Sequence, residues 1–189
     1  MSCLTICKMD SVQLTQILSA NPYTRRTFFG VFPCDMLPRA RLLQRPVSLI
    51  VNTHPHTLPG EHWLAIYLTE DKNGEFFDSY GHPPDHPLFP ETIMKFLTKN
   101  ARKIAFHPQQ IQAPDSVVCG HHCVFFLQQR CKGLTFKQIQ ELYSYDLQGN
   151  DRMVLQFIKN KKNVRARGSS LFQTAQGCVS CVAFHSHVF

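Results

Sequence analysis

The segment Gly120 to Cys131 constrains this chain more than any other. It is largely apolar around its whole circumference, with Cys123, Val124, Phe125, Phe126 and Leu127 in succession. A helix that is apolar on every side has to be buried on every side, so the rest of the chain must build layers around it. Val47-Ser48-Leu49-Ile50-Val51 reads as a buried strand, and His62 to Leu68 and Glu75 to Tyr80 as two more. Thr69 to Gly74 joins the last two as a hairpin loop, and Lys103 to His107 reads as a further short strand. Helices are expected from Ser11 to Leu18 behind Asp10, from Glu91 to Asn100, from Thr135 to Tyr143 and from about Asp151 to Lys161. Phe28 to Pro38, punctuated by Gly30, Pro33 and Pro38, reads as an irregular apolar stretch. This order argues an α+β fold: a central mixed sheet, a buried helix, and further helices around them.

A chain of 189 residues holds one domain with a tail. The expected divisions are an N-terminal extension over 1–9, one domain over 10–167 and a C-terminal tail over 168–189. With 43% hydrophobic and 17% charged residues, disorder of the whole chain is excluded. No run approaches the roughly 20 apolar residues that span a bilayer, and the first residues lack a secretory pattern. The expectation is an intracellular protein with no membrane partner. In that setting the eight cysteines read first as free thiols, metal ligands or a reactive thiol.

Two features outside the strand and helix pattern invite a binding role. The net charge of +7 suits nucleic acid or another polyanion. Its tightest basic cluster, Lys159, Lys161, Lys162, Arg165 and Arg167, reads as a solvated helix end or as a DNA-tracking surface. Cys178 and Cys181 with His185 and His187 imitate a zinc set, but the interval between the pairs is too short for a finger. No metal site is expected.

Chemistry concentrates where the buried helix begins. Cys119 stands at the join of loop and helix, where the positive end of the helix dipole favours thiolate over thiol. His62, ahead of Trp63, can take its proton, and Asp78 near the end of the next strand can orient the imidazole. The register sets a condition. A tight Asn73-Gly74 turn would pair Asp78 with Thr69, roughly 23 Å from His62, whereas the wider loop pairs it near Ala65. The wider loop is therefore expected. Gln112, seven residues before Cys119, can donate to a developing oxyanion together with the Cys119 backbone N–H. Gly120 would let a substrate backbone approach, and Trp63 reads either as a shield over the base–acid pair or as a core anchor. His121 and His122 read as cleft-lining, core or surface groups. His54, His56, His82 and His86 read as exposed loop residues beside the site.

Two blocks of this sequence resemble the adenovirus protease (adenain) family. The first is Ile50-Val51-Asn52-Thr53, eight residues, then His62-Trp63; the second is Gln112-Ala113-Pro114-Asp115-Ser116-Val117-Val118-Cys119-Gly120, with Cys123 one helical turn on. Phe28-Phe29-Gly30 and the helix near Asp151 fit more loosely, and the likeness covers about residues 10 to 165. The resemblance implies an adenain-like fold and a cysteine endopeptidase with a triad of His62, Asp78 and Cys119 and Gln112 in the oxyanion hole. It implies viral precursor proteins as substrates, a monomer found in the virion and in the host nucleus or cytoplasm, and activation by a short peptide and by DNA. The chemistry itself requires no cofactor. Two departures stand out. The acid is aspartate, so Phe77-Asp78-Ser79 is similar to the SUMO- and ubiquitin-like-specific proteases of the same clan. The stretch Asn100 to His107 lacks the cysteine that would tether a peptide. The alternatives are an isopeptidase acting on ubiquitin-like conjugates and a nonenzymatic DNA-binding or zinc module.

Overall fold

The computed structural model describes residues 8–168, with side chains as far as Asn160. Five strands form one mixed sheet in sequence order: β1 (Phe28–Pro33), β2 (Val47–Asn52), β3 (Trp63–Leu68), β4 (Gly74–Phe77) and β5 (Ile104–Phe106). The three inner strands are antiparallel, and both edge strands pair parallel to their neighbours. The helices are α1 (Ser11–Ser19), α2 (Glu91–Asn100), α3 (Cys119–Cys131), α4 (Phe136–Gln140) and α5 (Leu147–Gly168). This is the expected α+β arrangement, with α3 packed on the centre of the sheet.

Alternating side chains divide the sheet into two cores. Ala65 and Tyr67 of β3 face the layer of α1 and α3, where Ile50, Phe77, Leu14, Val124, Phe126 and Leu127 are buried with them. Leu64, Ile66 and Leu68 face the opposite layer with Leu49, Val51, Phe76 and, from α2, Ile93, Phe96 and Leu97. Every residue of β2 and β3 is buried, so neither strand shows polar alternation in sequence. Phe77 stacks on Phe126 with ring centres 4.6 Å apart and planes within 4°, which fixes α3 against β4. One turn further along α3, Arg130 grips the Glu75 carboxylate through two hydrogen bonds of 2.7 and 3.0 Å and lies 4.6 Å from the centre of the Tyr67 ring.

The entry of α1 is fixed by a capping box. Asp10 Oδ1 accepts from the Gln13 backbone at 2.7 Å, and Gln13 Oε1 accepts from the Asp10 backbone at 3.2 Å. Four elements differ from the sequence reading by more than a residue at one end. Phe28 to Pro33 is a strand, because an edge position with one partner tolerates Pro33 at its end and an irregularity at Gly30, whose φ is +154°. β4 stops at Phe77, because the Gly81 N–H turns back onto the Asp78 carbonyl at 3.1 Å. α4 is shorter than Thr135 to Tyr143, and α5 begins at Leu147, a turn earlier than expected. Among the described residues no helix is long and apolar enough to cross a membrane.

Candidate active site

Strand register brings the acid and the base to one end of the sheet. Leu68 pairs with Gly74 and Ala65 with Phe77, so the connection is the wide loop and Asp78 continues the register just beyond the last pair. His62 precedes β3 by one residue, Asp78 follows β4 by one, and His62 Nε2 lies 2.6 Å from Asp78 Oδ1. Cys119 is the first residue of α3, and its sulfur lies beside the His62 imidazole and the backbone N–H groups of Trp63 and Gly120. Since Nε2 is on the carboxylate, Nδ1 is the ring nitrogen left for the sulfur. The Tyr80 ring stands 5.1 Å from the His62 ring, tilted by 37°. These groups open on a cleft of about 330 Å³ lined also by Gln112, Ser116 and His82.

The electrostatics single out one thiol. Burial opposes ionisation of Cys119, but the imidazole of His62 and the two backbone N–H groups outweigh it and draw its pKa below the ordinary thiol value. Burial pushes the thiols of Cys34, Cys123 and Cys131 the other way. The effect on His62 is reciprocal. Burial disfavours the imidazolium, yet the Asp78 carboxylate and the Cys119 sulfur overcome it and raise the pKa to about 9. Asp78 is buried too, and His62 with the His82 and Tyr80 backbone N–H groups keeps it ionised below its ordinary value. A thiolate beside an imidazolium, with a buried carboxylate behind, is a nucleophile carrying its own proton donor.

Gln112 reaches the same cleft by a chain of backbone contacts. The Ile111 and Gln112 N–H groups both donate to the Ser79 carbonyl, at 2.9 and 3.1 Å, and Asn150 Nδ2 donates to the Ile111 carbonyl at 3.0 Å. Gln112 Oε1 accepts from Ser79 Oγ at 2.7 Å, while Nε2 donates to the Ser116 carbonyl at 2.9 Å and to Tyr80 Oη at 3.3 Å. The Ser116 carbonyl can only accept, which fixes the amide nitrogen on that side. Both amide hydrogens are thus engaged, and the longer bond to Tyr80 is the one an incoming oxygen would displace.

The structure corrects the reading of Gly120. A Cβ there would stand 3.0 Å from Cβ of Met9 and 3.3 Å from Cδ1 of Trp63, so the missing side chain admits these neighbours rather than a substrate backbone. Trp63 is a buried anchor whose indole N–H donates to the Met9 carbonyl at 2.9 Å. Cys123 is buried beneath it and donates to the Trp63 carbonyl at 3.2 Å. His121 and His122 are buried without lining the cleft, and His122 Nε2 meets Asp151 Oδ1 at 2.8 Å. His54 pairs with Glu61 at 2.8 Å and His56 with Asp35 at 2.6 Å. His82 is not an idle loop residue, since its ring Nδ1 lies 2.9 Å from Asp78 Oδ2. The Asp-Ser-Tyr-Gly-His spacing of residues 78–82 was the available signal for it.

Lys159 is exposed on α5, whereas the side chains of Lys161, Lys162, Arg165 and Arg167 lie outside the described part. Cys178, Cys181, His185 and His187 also fall outside the described residues. Among the described residues no group of three or more His, Cys, Asp or Glu side chains is arranged to hold a metal ion.

No family model and no curated protein matches the sequence. Solved structures are similar in chain path. An ASFV protease is 21% identical over 58% of this chain and 44% of its own, with a TM-score of 0.37. ChlaDub1 from Chlamydia trachomatis is 19% identical over 61% and 58%, with a TM-score of 0.44. The central domain of an uncharacterized Legionella pneumophila protein is 13% identical over 85% and 99%, also with a TM-score of 0.44. The aligned part thus amounts to about half the length of the first two structures.

Proposed function

We propose that this protein is a cysteine endopeptidase of adenain type. The observation that supports the reading is the position of the His62 ring, hydrogen-bonded through Nε2 to the buried Asp78 carboxylate at 2.6 Å and placed near enough to the Cys119 sulfur for each to favour the charged form of the other. In the proposed reaction Cys119 Sγ attacks a peptide carbonyl, and the oxyanion forms against the Cys119 backbone N–H and Gln112 Nε2. The C–N bond breaks as His62 passes its proton to the leaving amine, which leaves a thioester on Cys119. Water then attacks the thioester, His62 takes a proton from it, and the acid product departs with the thiolate restored. Asp78 stays ionised throughout and stabilises the imidazolium.

The finer reading is maturation of viral precursor proteins by a monomer in the virion or the host nucleus or cytoplasm. DNA along the basic end of α5 and a noncovalent peptide would act as activators. The aspartate in the acid position favours a second reading within the same chemistry, an isopeptidase acting on ubiquitin-like conjugates. Labelling with a peptide-based electrophilic probe, followed by mass spectrometry, tests the chemistry. Cys119 should carry the label, and Cys119→Ala should abolish cleavage while the melting curve stays cooperative. Retained peptidase activity in that variant would end the proposal. Reaction with a ubiquitin- or SUMO-based probe separates the two substrate classes.

A further inference from the structure

The carboxylate of Asp78 serves two imidazoles. Its side chain is wholly buried, and a buried carboxylate needs its lone pairs occupied. Oδ1 accepts from His62 Nε2 at 2.6 Å and from the Tyr80 N–H at 3.1 Å. Oδ2 accepts from the His82 N–H at 3.0 Å and from His82 Nδ1 at 2.9 Å. A carboxylate cannot donate, so the short ring contact requires a hydrogen on His82 Nδ1. One residue therefore holds one carboxylate oxygen at two points, through its main chain and its ring.

The ring itself is held in turn. It meets the Phe89 ring edge to face at 6.0 Å and 86°, and the His86 ring lies 4.2 Å away. The turn that presents it depends on Gly81, whose φ of +79° leaves no room for a side chain against the Gln109 backbone. His82 also lines the cleft, so its hold on Asp78 is made at the wall of the site.

We propose that His82 is a positioning residue of this site, its ring N–H locking the rotation of the Asp78 carboxylate so that Oδ1 stays directed at His62. The inference rests on the peptidase reading above and deepens it. Without the ring N–H, Oδ2 keeps only the main-chain bond from residue 82, the carboxylate turns more freely about its Cβ–Cγ bond, and the Oδ1 to Nε2 contact that favours the imidazolium loosens. The charged and titratable neighbours facing His82 are Asp78, His62 across the carboxylate, His86 and Tyr80; Lys8 and Glu61 share the cleft.

The test compares wild type, His82→Ala and His82→Asn, since the asparagine amide carries an N–H close to where Nδ1 stands. For each, kcat and KM on a peptide substrate and the rate of Cys119 alkylation by iodoacetamide at about pH 6 are measured, with thermal melts as a folding check. His82→Ala should lower kcat and the alkylation rate by about 10- to 100-fold with KM little changed, and His82→Asn should recover most of the loss. Equal rates in all three proteins would overturn the proposal, as would equal losses in both variants, which would assign the ring a packing role only. If wild-type Cys119 is itself no more reactive than Cys131, the peptidase reading fails, whatever His82 does.

Discussion

His62 and Asp78 stand one residue outside the paired ends of neighbouring strands, and their side chains meet at 2.6 Å. Neither is inside a strand, but each directly continues the strand it flanks and so keeps that strand's alternation of faces. The hairpin register then decides everything about their encounter. Shifted by a single residue, the same loop would carry Asp78 to the opposite face.

That contact governs the pH dependence. The folded pKa of His62 is raised from 6.5 to about 9 and that of Cys119 is lowered, so the imidazolium–thiolate pair occupies the range between them. Peptidase activity should rise as the thiolate forms, hold through neutral pH, and fall as the imidazolium loses its proton around pH 9. The sign for stability is the same. A raised imidazole pKa stabilises the fold fully below 6.5, and the gain is lost as pH climbs toward 9. Asp78→Asn should move the alkaline limb of kcat/KM to lower pH, and an unchanged limb would remove Asp78 from the pair.

Gln112→Ala should lower kcat by roughly 10²–10³ if its amide donates to the oxyanion. The protein should remain folded, because Ile111 and Gln112 are held by their backbone bonds to Ser79 as well as by the side chain. Steady-state kinetics beside a urea melt separate the two effects. A change under about threefold with normal stability would exclude the amide from the reaction.

Gly81→Ala tests the turn behind both Asp78 and Gln112. The substituted residue would have to keep a φ of +79° with its Cβ 2.6 Å from the Gln109 carbonyl carbon. Strain of about 1–3 kcal/mol is expected in the melt, with a fall in kcat as loops 78–82 and 109–112 part. A variant as stable and active as wild type would show that the two loops need not touch.

The core of the fold was legible where apolar pattern has one explanation. Cys123 to Leu127 can only be the inside of something, and Leu49, Ile50 and Val51 can only be a covered strand. The meeting of His62 and Asp78 was legible as a consequence of loop length. What escaped were features made by the backbone. Phe28 to Pro33 pairs on one side only, and its glycine and proline masked it. The role of Gly120 depended on Met9, a residue assigned to an extension but buried at 6% exposure against Trp63. His82 reached Asp78 through a glycine turn, in a loop whose histidines resembled one another in sequence.

Tyr143 offers a prediction of the opposite sign. Its ring fits among those of Phe77, His107, His122 and Phe125, with centres 5.7 to 6.4 Å away. Its hydroxyl is buried without a hydrogen-bond partner among the described residues, and burial drives its pKa far above the ordinary phenol value. No described protein group replaces the hydrogen bonds that water gives this hydroxyl in the unfolded chain, and a buried hydroxyl left so costs about 1–3 kcal/mol. Tyr143→Phe keeps the ring contacts and removes the orphan oxygen, so the urea midpoint should rise, by the equivalent of about 1 kcal/mol, with kcat unchanged. A fall in stability would mean that the hydroxyl is bonded in solution, with a water at the junction of β4 and α3 as its partner.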